Sequence, residues 1–343
     1  MPRFAVVRLP LVLSLVLLSA AFARTADRRV QLAPHFAQGS TLRYQIETRT
    51  TSDQHTTSPV LSDEGGGPFR QTTSFLVRLD VLALLQTAQT AANFVRFRAT
   101  FEKSHADSVA GTSAPVPNPL GDPLDDSIDQ FEGRSFEFTV GPDAQIASVK
   151  GLDEITANRE AADRVLSWIT VLSNAGSVPH QGVEIGQKWK SDKALTGLPL
   201  SGVIWRTESS YLRNEPCVAP SPVSSANGPG SGAQSQENCA VILTHFEISR
   251  RGSEHSDATP DDYRRNGLRT SGKWTGSGQS LNSVSLVSGF LVSSSQTATQ
   301  DMDYEIVSAA SGSAIHQVGR TTTQTEISLV MAPAAPASGR PNG

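Results

Sequence analysis

Apolar and polar residues alternate with a period of two in four stretches of the first half of the chain. Leu42, Tyr44 and Ile46 oppose Arg43, Gln45 and Glu47, while Phe75, Val77, Leu79 and Val81 oppose Arg78 and Asp80. Val95, Phe97, Ala99 and Phe101 oppose Arg96, Arg98 and Thr100, and Phe136, Phe138 and Val140 oppose Glu137 and Thr139. Successive side chains of a strand point to opposite faces, so this period predicts antiparallel strands with one buried face and one wet face. A second group of strands is expected to begin at Gly186-Gln187-Lys188-Trp189. It continues through residues 203–212, 240–250, 268–275, 280–287, 290–296, 304–307 and 322–331, with Ser288-Gly289 as a tight hairpin turn.

The period changes to a helical one in two places. Asp122-Pro123 has the form of an N-cap and first helical residue; Leu124, Ile128 and Phe131 follow at spacings of four and three, and Gly133 can close the end. A longer helix is expected over residues 153–173, where Ile155, Ala162, Val165, Leu166, Ile169 and Leu172 share a face that Asn158 interrupts. Polar stretches at 51–70, 103–121, 218–238 and 251–266 break the periodicity and read as inserts. The Gly276-Ser277-Gly278 triplet reads as a bend or bulge.

The order strands, helices, strands leaves the long helix in need of an apolar surface. The expected fold is therefore mainly β (α+β): a strongly curved antiparallel sheet or half-barrel of about ten strands packed around one long and one short helix.

The first residues have a different character. Arg3 and Arg8, the apolar run Leu9 to Leu18, and Ala21-Phe22-Ala23 form the three parts of a cleavable signal peptide over residues 1–23. The run is shorter than the roughly 20 residues a membrane span needs, and polar residues follow it at once. The expected organisation is that signal peptide, a linker at 24–39, a single β-rich domain at 40–331 and a disordered Ala/Pro-rich tail at 332–343. The expected location is periplasmic or secreted, with no transmembrane anchor after cleavage.

Removing residues 1–23 leaves 27 basic and 33 acidic residues, a mild acidity that gives no footprint for nucleic acid. Cys217 and Cys239, the only two cysteines, bracket a Pro/Ser/Gly-rich stretch between strand-like segments, and they read as one disulfide at the neck of a hairpin. Their spacing excludes a CxxC redox motif.

Catalytic chemistry leaves no recognisable trace. The seven histidines form no HExxH motif or close pair, and there is no GxSxG elbow, SxxK or phosphate-binding loop. Asp122, Asp125, Asp126, Asp129 and Glu132 are spaced as a solvated helix face rather than as a calcium loop. The reading is thus of a protein that is not an enzyme, with no catalytic residue, no metal ligand and no cofactor. The candidate site is an apolar cavity lined by Val165, Trp168, Ile169 and Leu172, set against the alternative that these four are ordinary packed core.

The segment Val183-Glu184-Ile185-Gly186-Gln187-Lys188-Trp189, the Gly276-Ser277-Gly278 triplet, the hairpin at 288–293 and the strand, turn and short strand over 136–151 together resemble a family of uncharacterised exported bacterial proteins. That family is similar in layout to Lol-type and mycobacterial-type lipoprotein carriers. The resemblance implies a half-barrel with an apolar space for acyl chains between sheet and helices. It carries over no functional residue, because the matching positions are strand starts and turns. The chain departs from the carriers in having no lipobox cysteine and in its long polar stretches. The function expected is binding or carriage of a lipid or other apolar molecule; the alternative is an envelope scaffold or protein-interaction module with a packed interior.

Overall fold

The alternating segments pair into one antiparallel sheet of eleven strands in the computed structural model, which describes residues 29–58, 65–87, 90–110, 129–142, 145–156, 159–173, 178–179, 181–217 and 237–330. In chain order the strands are β1 (Thr41–Thr57), β2 (Gly65–Thr87), β3 (Thr90–Ala110), β4 (Ser135–Val140), β5 (Ile146–Lys150) and β6 (Lys188–Ala194). They continue with β7 (Val203–Pro216), β8 (Asn238–Arg250), β9 (Leu268–Ser285), β10 (Leu291–Ser308) and β11 (Ala314–Leu329). Their order across the sheet is β5-β4-β3-β2-β1-β11-β10-β9-β8-β7-β6. Strands β5 and β6 are therefore neighbours in sequence but lie at opposite edges, and among the described residues the sheet is not closed into a barrel. The connection between them holds the helix α1 (Arg159–Leu172). A chain that must travel from one edge to the other is well placed to cover the apolar face on the way.

The sheet is curved at that end. In a flat sheet β3 and β10, four strands apart in the order, would be separated by about 19 Å. Yet the ring of Phe97 on β3 lies 5.2 Å from that of Phe290, which immediately precedes β10, and Phe36 packs edge-on against both at 5.3 and 4.8 Å.

Phe36 belongs to a strap across this end. Val30 exchanges backbone hydrogen bonds of 2.8 and 3.0 Å with Val183, the His35 N–H donates to Ser288, and the Gly39 N–H donates to Val81. Residues 30–39, within the stretch 24–39 expected as a linker, thus tie together β2, the β9–β10 turn and the segment before β6, and bury Leu32. Gly289 (φ +71°) permits the close approach, since a β-carbon there would lie 2.1 Å from the carbonyl oxygen of Ala33.

Several expectations change. The long helix is shorter than the 153–173 span: α1 has 14 residues. Before it, Leu152 accepts from the backbone N–H groups of Ile155 and Thr156 and from the Thr156 hydroxyl, which makes one local turn. Of the short helix at 122–131, only a single 3-10 turn at Asp129–Phe131 lies within the described residues, with Phe131 buried and Gly133 (φ +76°) after it. A helix not anticipated, α2 (Asp261–Arg265), lies in the supposed polar insert at 251–266 and buries Tyr263. Within the inserts at 51–70 and 103–121 the described residues are mostly strand, because β1 runs to Thr57, β2 starts at Gly65 and β3 runs to Ala110, while 59–64, 111–121 and most of the insert at 218–238 lie outside the described residues.

The Gly276-Ser277-Gly278 triplet is not a bend either; it sits in continuous pairing between β8 and β10. A β-carbon at Gly278 would collide with the Phe246 ring at 2.3 Å, so glycine there makes room for an aromatic side chain across the sheet. The segments expected as a signal peptide, 1–23, and as a disordered tail, 332–343, lie outside the described residues.

Candidate functional site

The two faces of the sheet differ in chemistry over most of its central strands. On β1, the face shared with the core carries Tyr44, Ile46, Thr48, Thr50, Ser52 and Gln54, whereas the opposite face carries Arg43, Glu47, Arg49 and Asp53. The register brings Ile327, Thr325, Thr323 and Thr321 of β11 beside the first set and Glu326 and Arg320 beside the second. On β10, Ser294, Gln296, Ala298 and Gln300 share the core-side face, with Asp301 and Asp303 outside. The same holds on β8, where Ile242, Thr244, Phe246 and Ile248 face inward and His245 and Glu247 outward.

Over these spans charge lies on the outer face; beyond them, at the far end, Arg250 of β8 pairs opposite Val203 and Lys193 of β6 opposite Trp205, both at inner positions. The outer-face charges form ion pairs such as Arg43–Glu102, Arg78–Asp80, Arg98–Glu137 and Arg320–Asp301, at 3.1, 3.0, 2.9 and 2.8 Å. Such half-exposed pairs each contribute at most about 1 kcal/mol.

The inner face is divided in turn. At the strap end it is apolar and aromatic: Phe75, Phe97, Phe101, Phe136 and Phe138 of β2 to β4 form one cluster with Tyr44, Tyr211 and Ile242. Helix α1 presses Val165, Ile169 and Leu172 into this cluster, with relative exposures of 2, 3 and 0%. Their spacing of four and three puts them on one helix face. Trp168 is only partly buried and sets its ring 4.6 Å from that of Phe75. The four residues expected to line a cavity are therefore together: three are packed, and one keeps exposed surface. At the far end a smaller cluster joins Trp274, Met302, Tyr304 and Ile306 to Ile248 and to Tyr263 of α2.

Between the clusters lies a band of uncharged polar side chains that bond to one another. Ser52 bonds to Thr321 at 2.9 Å and accepts from the Gln54 amide at 2.9 Å; Gln54 accepts from the Gln317 amide at 3.0 Å; and Gln317 accepts from the Tyr304 hydroxyl. Further along the band, Thr48 meets Thr325 at 3.3 Å, Ser209 meets Thr244 at 2.8 Å, and the Ser294 hydroxyl donates to Asn282 at 2.7 Å. Trp274 donates its indole N–H to Gln300 at 2.9 Å. Hydroxyls and amides bound in this way still have lone pairs and protons to offer, because each carries more than one hydrogen-bonding position.

Burial governs the ionisable groups on this face. Tyr44, fully buried at the strap end, donates its hydroxyl to the Leu291 carbonyl at 2.7 Å, and desolvation holds its pKa far above the ordinary phenol value. Burial likewise raises Tyr211 and Tyr304. Near α2, hydrogen bonds from the hydroxyl and backbone N–H of Thr259 hold the Asp257 carboxyl below its usual range. Two buried hydroxyls, Ser104 on β3 and Thr270 on β9, have no hydrogen-bond partner among the described residues.

Sequence reading found the apolar end and missed the polar band. The signal was there: residues 50–56 read Thr-Thr-Ser-Asp-Gln-His-Thr, and residues 320–326 read Arg-Thr-Thr-Thr-Gln-Thr-Glu, so neutral inward positions alternate with outward ones that include every charge. The Cys217–Cys239 disulfide is formed, with a Cα–Cα distance of 5.0 Å, and staples β7 to β8 where the register pairs Pro216 with Asn238. Among the described residues, no three His, Cys, Asp or Glu side chains gather where they could hold a metal ion. No described helix is long and apolar enough to cross a membrane.

No family model matches this chain, and no curated protein matches it. Among solved structures, it aligns with one of lipid-protein interactions in lipovitellin at 11% identity and a TM-score of 0.40, over 89% of this chain and 26% of that one. The chain thus spans about a quarter of that protein's length. It also aligns with DynF from the dynemicin biosynthesis pathway of Micromonospora chersina, at 8% identity and a TM-score of 0.18, over 90% of this chain and 88% of the other. A third alignment is with an outer membrane channel from Pseudomonas putida F1, at 10% identity and a TM-score of 0.19, over 87% and 98%. All three are too distant to speak to ligand or activity. What the chain's own geometry defines is an open, mainly β protein whose inner face carries a band of uncharged polar side chains between two apolar clusters.

Proposed function

We propose that this protein is an exported, non-catalytic binder of an apolar or amphipathic molecule, held against the inner face of the open sheet. The observation that supports it is the segregation of charge. Over β1, β8, β10 and β11 the inner positions from one cluster to the other are apolar or neutral, and the ion pairs lie outside. A surface of that kind suits an occupant that avoids water along part of its length. In this reading the half-buried Trp168 forms a wall at the apolar end, while Val165, Ile169 and Leu172 are the packed support behind it.

Native mass spectrometry of the protein purified from its own cell envelope without detergent tests the proposal. A reproducible excess mass that releases a lipid on denaturation is the expected result. A bare polypeptide mass that persists after lipids are added back would leave the alternative, a scaffold with a packed interior. That alternative has one observation in its favour, the near-complete burial of Ile169 and Leu172.

A further inference from the structure

The orphaned hydroxyl of Ser104 lies where the two chemistries of the inner face meet. Ser104 is 7% exposed and pairs directly opposite Phe75, whose ring contacts Trp168. On its other side the register continues through Ala106 opposite Thr73 and Ser108 opposite Gln71, which is the neutral band. The side chain reaches this face because β3 shifts phase. After Phe101, opposite Val77, the next pairing is Lys103 with Leu76, so Glu102 is extra and Ser104 turns inward where simple alternation would have turned it out. A buried hydroxyl without a partner carries an uncompensated desolvation cost.

We infer that the occupant is an amphipath with an uncharged, hydroxyl-bearing head of the neutral glycolipid class, its apolar tail against the Phe75–Trp168 end and its head accepting from or donating to Ser104 and the neutral band. This deepens the binding proposal and rests on it. Three observations carry the choice. The band provides both donors and acceptors, as a polyol needs. It provides no counter-charge, so a phosphate or ammonium head would be desolvated without a partner, which is strongly unfavourable. And Ser104 is an unsatisfied polar group at the junction between tail and head positions.

The test loads the full, disulfide-intact protein from phosphatidylcholine vesicles that contain a glucosyl-diacylglycerol or, with the same acyl chains, phosphatidylglycerol, and quantifies by mass spectrometry the lipid that leaves with the protein. The expected result is a preference for the glucosyl lipid of about tenfold or more, equivalent to about 1.4 kcal/mol. Ser104→Ala should reduce loading of that lipid about fivefold while leaving the ligand-free melting temperature unchanged or raised, because the hydroxyl removed has no partner. Equal loading of both lipids would overturn the neutral-head inference and leave the binding proposal standing. A Ser104→Ala variant that melts lower yet loads normally would overturn the role given to Ser104. Failure to load any lipid would overturn the binding proposal itself.

Discussion

The strap end of the sheet and the band beyond it are built from the same strands, yet they solve different problems. At Tyr44 and Ile46 the inward positions of β1 are large and apolar; at Thr48, Thr50 and Ser52, a few residues on, they are small and neutral. Strand β10 repeats the change in reverse, from Gln296 and Gln300 to Met302, Tyr304 and Ile306. A band kept polar but uncharged forgoes the apolar burial that stabilises its neighbours, at about 25 cal/mol per Å². The lesson is that the apolar ends hold the sheet's curvature, while the band is the part whose chemistry a packed fold does not require.

The sharpest way to break this comparison is to place the same carboxylate in each region. Ile169→Asp would bury an unpaired charge in the aromatic cluster, with an expected loss of at least about 4 kcal/mol and unfolding near room temperature. Thr323→Asp, on the half-buried inner face of β11 between Thr50 and Ala298, should cost less than about 1.5 kcal/mol but abolish loading of a neutral amphipath. Urea denaturation of both variants decides it. If Ile169→Asp is tolerated, the helix covers a wet or lipid-filled space rather than packed core; if the two unfold alike, the regions do not differ in the way described.

An intermediate effect is expected at the disulfide, which belongs to the strap end. Cys217 and Cys239 are 22 residues apart, and the Leu286 N–H donates to the carbonyl of the adjacent Asn238, so the bridge anchors β8 beside the β9–β10 turn that the strap crosses. Replacing both cysteines with serine should cost roughly 3 kcal/mol in the loop-entropy picture. Hydrogen exchange should accelerate first in β7 and β8 near Tyr211 and Ala240, with the segment around Thr207 and Phe246 affected later. Acceleration spread evenly along both strands would mean that the two regions open as one unit.

How much was legible in the sequence follows the same division. Where inward residues are apolar, as at Phe75 to Val81 and Phe136 to Val140, period-two alternation gave strand and face correctly. Where they are Thr, Ser or Gln, hydropathy no longer alternates, and the continuations of β1, β2 and β3 read as polar inserts although the strands run on through them. Two further features hid the rest. The bulge at Glu102 reverses the phase of β3, so Ser104 points inward against the earlier count. The strap and α2 bury isolated residues such as Leu32 and Tyr263, which no periodicity marks. The disulfide was legible because two cysteines allow only one pairing within the chain.

The smallest expected effect is also the most specific to the apolar end. Tyr44→Phe removes the hydroxyl that reaches from β1 past β11 to the Leu291 carbonyl, leaving that acceptor short of a donor, for an expected loss of about 1 kcal/mol at neutral pH. The loss should depend on pH with a definite sign. Tyr44 ionises near pH 10 when unfolded, while burial keeps it protonated in the fold well above that. Its contribution is therefore intact below about pH 10 and declines as the pH rises further, by about 1.4 kcal/mol per unit once the unfolded state releases its proton. The wild-type advantage over Tyr44→Phe should vanish close to pH 11, where denaturation curves of the two proteins would meet. Absorbance at 295 nm should show at the same time that Tyr44 and Tyr304, two of the four tyrosines, ionise only as the fold is lost. An advantage that stayed constant through pH 11 would mean that Tyr44 is reached by solvent, and that the apolar end is more open than its packing indicates.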